Sequence, residues 1–304
     1  MAKKVLLLYG GFSAEREVSI SSKNDIAAAL KSKGYDVIEH DLTDVAAFLE
    51  VLRTQKPDVV YNGLYGNWGE DGEIQGLLDM LQIDYTHSGV RASVLGMDKR
   101  LTKLVAAQNG VKVARGLSMS AAEYAQWRQS SEAFFPHVVK PVADGSSVGV
   151  YIVKNADEAA KVKYDDGKMP VLVEEYIAGR ELTTACLNGK ACAVTELKAQ
   201  NEFYDYEAKY TSGKTQHILP AEVSPEVRAT CYRYAETMHK ALGCNMVSRC
   251  DFRYNDKDGV VLLEINTNPG MTALSLVPEQ AKYIGVSFAD LCDMLVQKAA
   301  CRKR

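Results

Sequence analysis

No stretch of the 304 residues approaches the ~20 consecutive apolar residues of a membrane span. The apolar run Val5 to Tyr9 that follows Ala2-Lys3-Lys4 is too short for the hydrophobic part of a secretory leader and stops at Gly10-Gly11. Among seven cysteines there is no CxxC pair and no His/Cys cluster, which excludes a disulfide framework and a zinc module and suggests a reducing compartment. None of the five histidines pairs at a ligand spacing or accompanies a Ser or Cys nucleophile, so a hydrolytic triad has no support. Excess positive charge is also missing: a net charge of −3 argues against bulk nucleic-acid binding. Internal repeats and low-complexity tracts are absent. What remains is a chain of ordinary soluble composition, 47% apolar and 25% charged, expected in the cytoplasm and long enough for two or three domains with a cleft between them.

The most informative stretch is Ser248 to Leu276. Two apolar, β-branched runs flank Asp256-Lys257-Asp258-Gly259, a turn signal for a β-hairpin. If Asn255 pairs with Val260 and no bulge intervenes, Asp251 lies opposite Glu264 and Arg249 opposite Asn266. Alternation then sends Arg249, Asp251, Glu264 and Asn266 to one face and Cys250, Phe252 and Ile265 to the other. Two opposed carboxylates repel, and a divalent cation relieves the conflict. A donor set of two carboxylates and one amide oxygen suits Mg²⁺ held jointly with nucleotide phosphates. The competing reading is a solvated face on which Arg249 forms salt bridges to both acids. It is disfavoured because Asn266-Thr267-Asn268-Pro269-Gly270 follows at once and must turn sharply, presenting backbone N–H groups beside the metal face.

The rest of the chain supplies the scaffold. Val5 to Tyr9, a helix from the glycine turn to about Lys33 closed by Gly34, strands at Val37-Ile38 and Val59 to Tyr61, and a helix over Val45 to Gln55 make a Rossmann-type βαβαβ unit. Its glycine turn lacks the GxGxxG spacing, so an NAD role is rejected. The glycine-rich loop Asn62 to Gly72 reads equally as a ligand loop or a plain connection. Lys140 at a strand end, followed by Gly145-Ser146-Ser147-Val148-Gly149, suits phosphate: a fixed cation, then backbone N–H donors. Asn188-Gly189 signals a type I′ hairpin, and Pro225 to Leu242 a helix between Ser224 and Gly243. The polar, aromatic run Gln200 to Gly213 is an active-site lid or disordered, and its aromatics favour the lid.

Taken in order, GGFSAEREVSISS, LGMDK, VVKPVADGSSVG, VEEYIAGRE, FYDYEAKY, SRCDFRY and LLEINTNPGMTALSLVP closely resemble the D-alanine:D-alanine ligases of the ATP-grasp superfamily, from about residue 4 to residue 290. The resemblance implies an α/β ATP-grasp fold: a Rossmann-like substrate domain over 1–96, a central subdomain over 97–178 and a C-terminal subdomain with metal site and lid over 179–304. It implies ATP-driven joining of two D-alanines through an acyl phosphate for peptidoglycan synthesis, in a homodimer.

Residue by residue, the resemblance implies that Glu15 receives the first D-alanine's ammonium, with Ser146 and Tyr210 bonding to Glu15. Lys99 and Lys140 bind phosphates, Glu174 and Ile177 hold adenine, and Glu181 holds ribose. Lys209 reaches the γ-phosphate; Asp251, Glu264 and Asn266 hold two Mg²⁺ or Mn²⁺ ions. Arg249 and the Gly270 N–H form the oxyanion site, while Ser275 and Leu276 take the second carboxylate. Three positions depart from the family's pattern. Tyr65 stands where His is usual, which leaves the role of that position open; Asn24 replaces a common Gly; and Val142-Ala143-Asp144 fills the phosphate loop unusually. Another carboxylate-amine ligase, or a nucleotide-sensing protein without turnover, are the competing readings. The presence of every charged position that the chemistry needs weighs against the second.

Overall fold

The computed structural model describes residues 2–143, 145, 149–199, 215–272 and 275–303. The chain opens with alternating strands and helices: β1 (Lys4–Gly10), α1 (Arg16–Ser32), β2 (Asp36–Leu42), α2 (Val45–Gln55), β3 (Val59–Asn62), α3 (Glu73–Leu81) and β4 (Asp84–Tyr85). The four strands pair in parallel in the order β2-β1-β3-β4, the Rossmann-type half-sheet expected. From Val5 to Leu8 β1 is apolar and fully buried, as suits a strand covered on both faces. Val5 and Leu7 face Ile26 and Leu30 of α1, whereas Leu6 and Leu8 face Phe48, Leu52 and Leu78. Gly34, at φ +85°, closes α1 as the sequence indicates.

After α4 (Val90–Met97) and α5 (Lys99–Gln108) comes a second sheet, built from β5 (Gly116–Ser120), β6 (His137–Pro141), β7 (Tyr151–Val153) and β8 (Pro170–Glu175). It is antiparallel, in the order β5-β8-β6-β7, with α6 (Ala121–Trp127) and α7 (Ala156–Lys161) packed on it. A capping box between Ser120 and Glu123 starts α6. The helix then buries Tyr124 and Trp127 against Val139, Val171 and Val173.

The third sheet contains β9 (Arg180–Leu187), β10 (Lys190–Ala191), β11 (Thr195–Ala199), β12 (Thr215–Ile218), β13 (Val247–Asn255) and β14 (Gly259–Asn266), in the order β12-β11-β9-β13-β14 with β10 beside β9. Asn188 and Gly189, at φ 49° and 76°, make the turn expected between β9 and β10. α8 (Pro225–Leu242) is capped by Ser224 and stopped by Gly243, and it covers the face carrying Leu182, Cys250, Phe252 and Leu262. α9 (Leu276–Tyr283) and α10 (Phe288–Gln297) follow. Packing crosses the boundaries expected at residues 96 and 178. Ala92 of α4 and Ala106 of α5 join the core of the third sheet, and Leu291 and Leu295 of α10 return to α1 and the first sheet. All seven cysteines are free thiols. Among the described residues, no helix is long and apolar enough to cross a membrane.

Candidate active site

The β13–β14 hairpin reaches the expected pairing by an unexpected route. Asn255 pairs with Gly259, not Val260, across a shorter turn in which Gly259 takes φ +70°. A bulge between Asp251 and Phe252 then restores the register, so that Asp251 lies opposite Glu264 and Arg249 opposite Asn266. The bulge also lets the hairpin separate its chemistry. Cys250, Phe252, Val260, Leu262 and Ile265 enter the core under α8, while Val261 joins a small cluster with Ala114 and Ile177 away from that core.

Asp251 is the hub of the polar face. Arg249 grips it bidentately, with Nε and Nη2 donating at 2.9 and 2.8 Å. Thr183 Oγ1 donates at 2.6 Å from the neighbouring strand β9, and Asn266 Nδ2 donates at 3.2 Å. Glu264 lies 3.8 Å from Lys99 Nζ. The repulsion anticipated between the two acids is therefore already relieved in part by cations of the chain: Arg249 grips Asp251, and Lys99 stands by Glu264. The donors still fit a hard divalent ion, being oxygen ligands on one strand pair, with the amide of Asn266 able to present either of its ends. Among the described residues, no three His, Cys, Asp or Glu side chains converge as a metal cluster, so an ion here must draw further oxygens from substrate and water.

A second charged group stands on the β6–β8 sheet. Lys140 pairs with Leu172 and Glu174 with Val138, which makes Lys140 and Glu174 diagonal neighbours; Nζ lies 2.5 Å from Glu174 Oε2. Lys103, one turn along α5 from Lys99, contacts the other oxygen of the same carboxylate. Burial pushes the Glu174 carboxyl up, but the two lysines outweigh it and hold the group below the usual range. Burial likewise pulls Lys140 down, and the charges of Glu174 and Glu264 more than reverse that. For Lys103 burial prevails, helped by the charge of Lys140, and its pKa falls. Ile177 is buried in the cluster with Ala114 and Val261, while Glu181 pairs with Arg253 at 3.2 Å.

The third wall comes from the first sheet. Glu15 stands at the N-terminus of α1 and is 9% exposed. Two glycines let other loops reach it: a Cβ on Gly66 would lie 2.7 Å from its Oε2, and one on Gly145 would lie 3.0 Å from it. Glu70, in the same glycine-rich loop as Gly66, is pushed well above the carboxylate range by burial and then by the charge of Glu15. A cavity of about 30 Å³ joins the three walls, lined by Glu70, Met97, Lys99, Gly145, Glu264 and Asn266.

At the rim, a Cβ on Gly270 would come within 3.1 Å of Ser275 Oγ. That hydroxyl accepts the Thr272 N–H at 2.9 Å and does not cap α9, whose first-turn N–H groups begin at Leu276. The structure thus gathers Glu15, Lys99, Lys140, Glu174, Asp251, Glu264 and Asn266 around one cleft, with Arg249 on Asp251. Ser146, Lys209, Tyr210 and the proposed lid lie outside the described residues. Lys103, Glu70 and Thr183 were not singled out from the sequence. Lys103 carried a signal, the i+4 spacing from Lys99, whereas Thr183 needed the register of β9.

Residues 106–297 match the family model described as "D-ala D-ala ligase C-terminus". The chain belongs to the D-alanine–D-alanine ligase family. Family members named D-alanine–D-alanine ligase include those of Acidiphilium cryptum, 47% identical over 99% of both chains, and Dinoroseobacter shibae, 46% identical over 98% of this chain and 96% of the other. The crystal structure of the Bacillus anthracis D-alanine–D-alanine ligase complexed with ATP superposes with a TM-score of 0.81, at 30% identity, covering 98% of this chain and 97% of that one. The fold is accordingly that of the ATP-grasp ligases, as the sequence motifs imply.

Proposed function

We propose that this chain joins two D-alanines into D-alanyl-D-alanine with cleavage of ATP to ADP and phosphate, the reaction that supplies the dipeptide of peptidoglycan. The observation that carries the reading is the distribution of charge along one cleft. Lys103 and Lys140 converge on a single carboxylate at one end, and Glu15, Glu70, Asp251 and Glu264 gather at the other. A site with excess positive charge at one end and excess carboxylate at the other suits a triphosphate laid toward bound cations.

In this reading Lys140 and Lys99 hold the non-transferring phosphates, and Glu174, Ile177 and Glu181 hold the nucleoside. Glu15, kept in place by the Gly66 and Gly145 loops, receives the ammonium of the first D-alanine. Asp251, Glu264 and Asn266 are the residues to hold Mg²⁺ or Mn²⁺, which when bound neutralises the triphosphate against the attacking carboxylate. The carboxylate oxygen of the first D-alanine takes the γ-phosphoryl group and ADP leaves. The amine of the second then attacks the acyl carbon, the C–N bond forms as the C–O bond to phosphate breaks, and the amine's surplus proton is lost. Arg249 and the Gly270 N–H stabilise the oxyanion of that step. The helix start at Ser275 and Leu276 takes the second carboxylate. Lys209, Ser146 and Tyr210 complete the site as the motifs imply.

Phosphate release that depends on both ATP and D-alanine tests this function directly. Release with ATP and some other amino acid, and none with D-alanine, would replace the substrate. A cytoplasmic homodimer completes the proposal, and sedimentation equilibrium checks the dimer.

A further inference from the structure

Tyr65 is the residue whose place the family pattern leaves unexplained. The ring is 4% exposed. Its hydroxyl meets two groups: the Met271 backbone N–H at 3.0 Å, and Ser22 Oγ at 3.2 Å. The direction of these bonds follows from counting protons. The Met271 amide can only donate, so the Tyr65 oxygen accepts. Ser22 gives its single proton to the Ser19 carbonyl at 3.0 Å, so toward Tyr65 it can only accept. The phenolic proton therefore points at Ser22, and the four groups form one chain running Met271 N–H, Tyr65 O–H, Ser22 O–H, Ser19 C=O. Each bond polarises the next. Burial pushes the phenol up to about 12, so the proton that this chain needs is retained at neutral pH.

The chain of bonds crosses from one part of the molecule to another. Ser19 and Ser22 lie on α1, Tyr65 follows β3, and Met271 adjoins Gly270 in the turn after β14. A parallel tether lies beside it, since Asn268 Nδ2 donates to the Leu64 carbonyl at 2.8 Å. At its other end Tyr65 is fixed by its own carbonyl, which accepts from Ser13 Oγ at 2.6 Å, next to Glu15. Residues 64 and 65 thereby hold the turn at 268 and 271. With the Met271 amide occupied by Tyr65, the Gly270–Met271 peptide, which adjoins the peptide bearing the Gly270 N–H, is held from the N-terminal sheet.

We propose that Tyr65 is a positioning residue: its hydroxyl, oriented by Ser22, fixes the turn carrying the Gly270 N–H relative to the Glu15 subsite, so that the two substrates are held in register. The inference rests on the function proposed above for Gly270 and Glu15, and its test has a readout independent of activity. In Tyr65→Phe the ring remains and both bonds go. Amide hydrogen exchange at Met271 should quicken about tenfold, the loss of roughly one buried bond. Turnover with saturating D-alanine should fall about tenfold while KM for ATP stays within about twofold, because none of the residues assigned above to the nucleotide lies in the turn. Ser22→Ala removes only the acceptor that orients the phenol and should produce the same pattern at about two- to threefold. The double variant should be no worse than Tyr65→Phe alone, since both act through one bond chain.

Unchanged Met271 exchange in Tyr65→Phe overturns the proposal, as does a KM for ATP that rises in step with the fall in turnover, or a double variant whose losses multiply. If Tyr65→Phe fails to fold, Ser22→Ala decides alone by the same two readouts. A wild-type protein that turns over no D-alanine but shows the Tyr65-dependent protection would sink the proposed function and leave the tether standing.

Discussion

At the β6–β8 end of the cleft two lysines share one carboxylate, Glu174; at the β13–β14 end Asp251 and Glu264, with Glu15 and Glu70 nearby, share Arg249 and Lys99. These charges are counted among the described residues, and the two ends differ in what they lack. At the first, lysines outnumber the carboxylate they contact; at the second, acidic side chains cluster and Glu70 is pushed well above the usual carboxylate range by burial and the charge of Glu15. The lesson is that the sign of the surplus indicates the ligand more directly than any single residue does. Glu174 illustrates it: alone it would read as an isolated buried acid, but it stands between Lys103 and Lys140, which hold its carboxyl below the usual range.

The largest effect should come from removing charge at the surplus-acid end. Glu264→Gln is expected to lower kcat by ~10³ or more, since cation binding is worth several kcal/mol in the transition state. Excess chelator should abolish wild-type phosphate release. Full turnover under either condition would mean that this end holds no metal. Next, Arg249→Ala should reduce kcat by ~10², consistent with a group that acts on an oxyanion formed only during reaction. It should also destabilise the fold, because Asp251 loses its bidentate partner. Steady-state kinetics and a urea melt separate the two losses.

At the opposite end, Lys140→Ala should raise KM for ATP about tenfold and leave kcat within a few-fold, because contact with a non-transferring phosphate favours ground and transition states alike. A kcat loss larger than the KM change would erase the distinction between the ends. The smallest effect is in stability against acid. The folded pKa of Glu174 is held below its unfolded value, so its contribution is complete above the unfolded value near ~4.3 and is lost as pH falls through the folded one. The denaturation midpoint of the wild type should therefore drop more steeply below about pH 4.3 than that of Glu174→Gln. Parallel curves would show that the two lysines do not stabilise the ionised carboxylate.

Much of this was legible in the chain itself, for reasons that are local. Gly34, Asn188-Gly189, Ser224 and Gly243 mark their elements because caps and I′ turns depend on a few neighbouring residues. The opposition of Asp251 and Glu264 was also reached, yet through two departures that cancel: a shorter turn shifts the pairing by one residue and the bulge shifts it back. A bulge has no composition signal there, so the agreement owes more to the spacing of the acids than to the assumed ladder. Long-range placement was not legible. That Lys103 and Lys140 would meet on Glu174 depends on how α5 packs beside β6 and β8. That Tyr65 reaches Met271 depends on two sheets meeting, and no periodicity reports either.

The return of α10 to the first sheet has a bearing on how the polypeptide is made. Lys33 and Tyr35 bond to Asp290 and Asp293, Ala300 adds a bridge to Tyr85, and the Cys301 N–H is taken by Asp84. The partners of Ile26 and Leu30 on α10, Leu291 and Leu295, are synthesised long after the first sheet has left the ribosome. At ~5–20 residues per second, that face waits ~10–50 s for its cover. A nascent chain so arranged exposes an apolar sheet face throughout the synthesis of its middle, and the emergence of α10, rather than that of the first sheet itself, is the event that covers it.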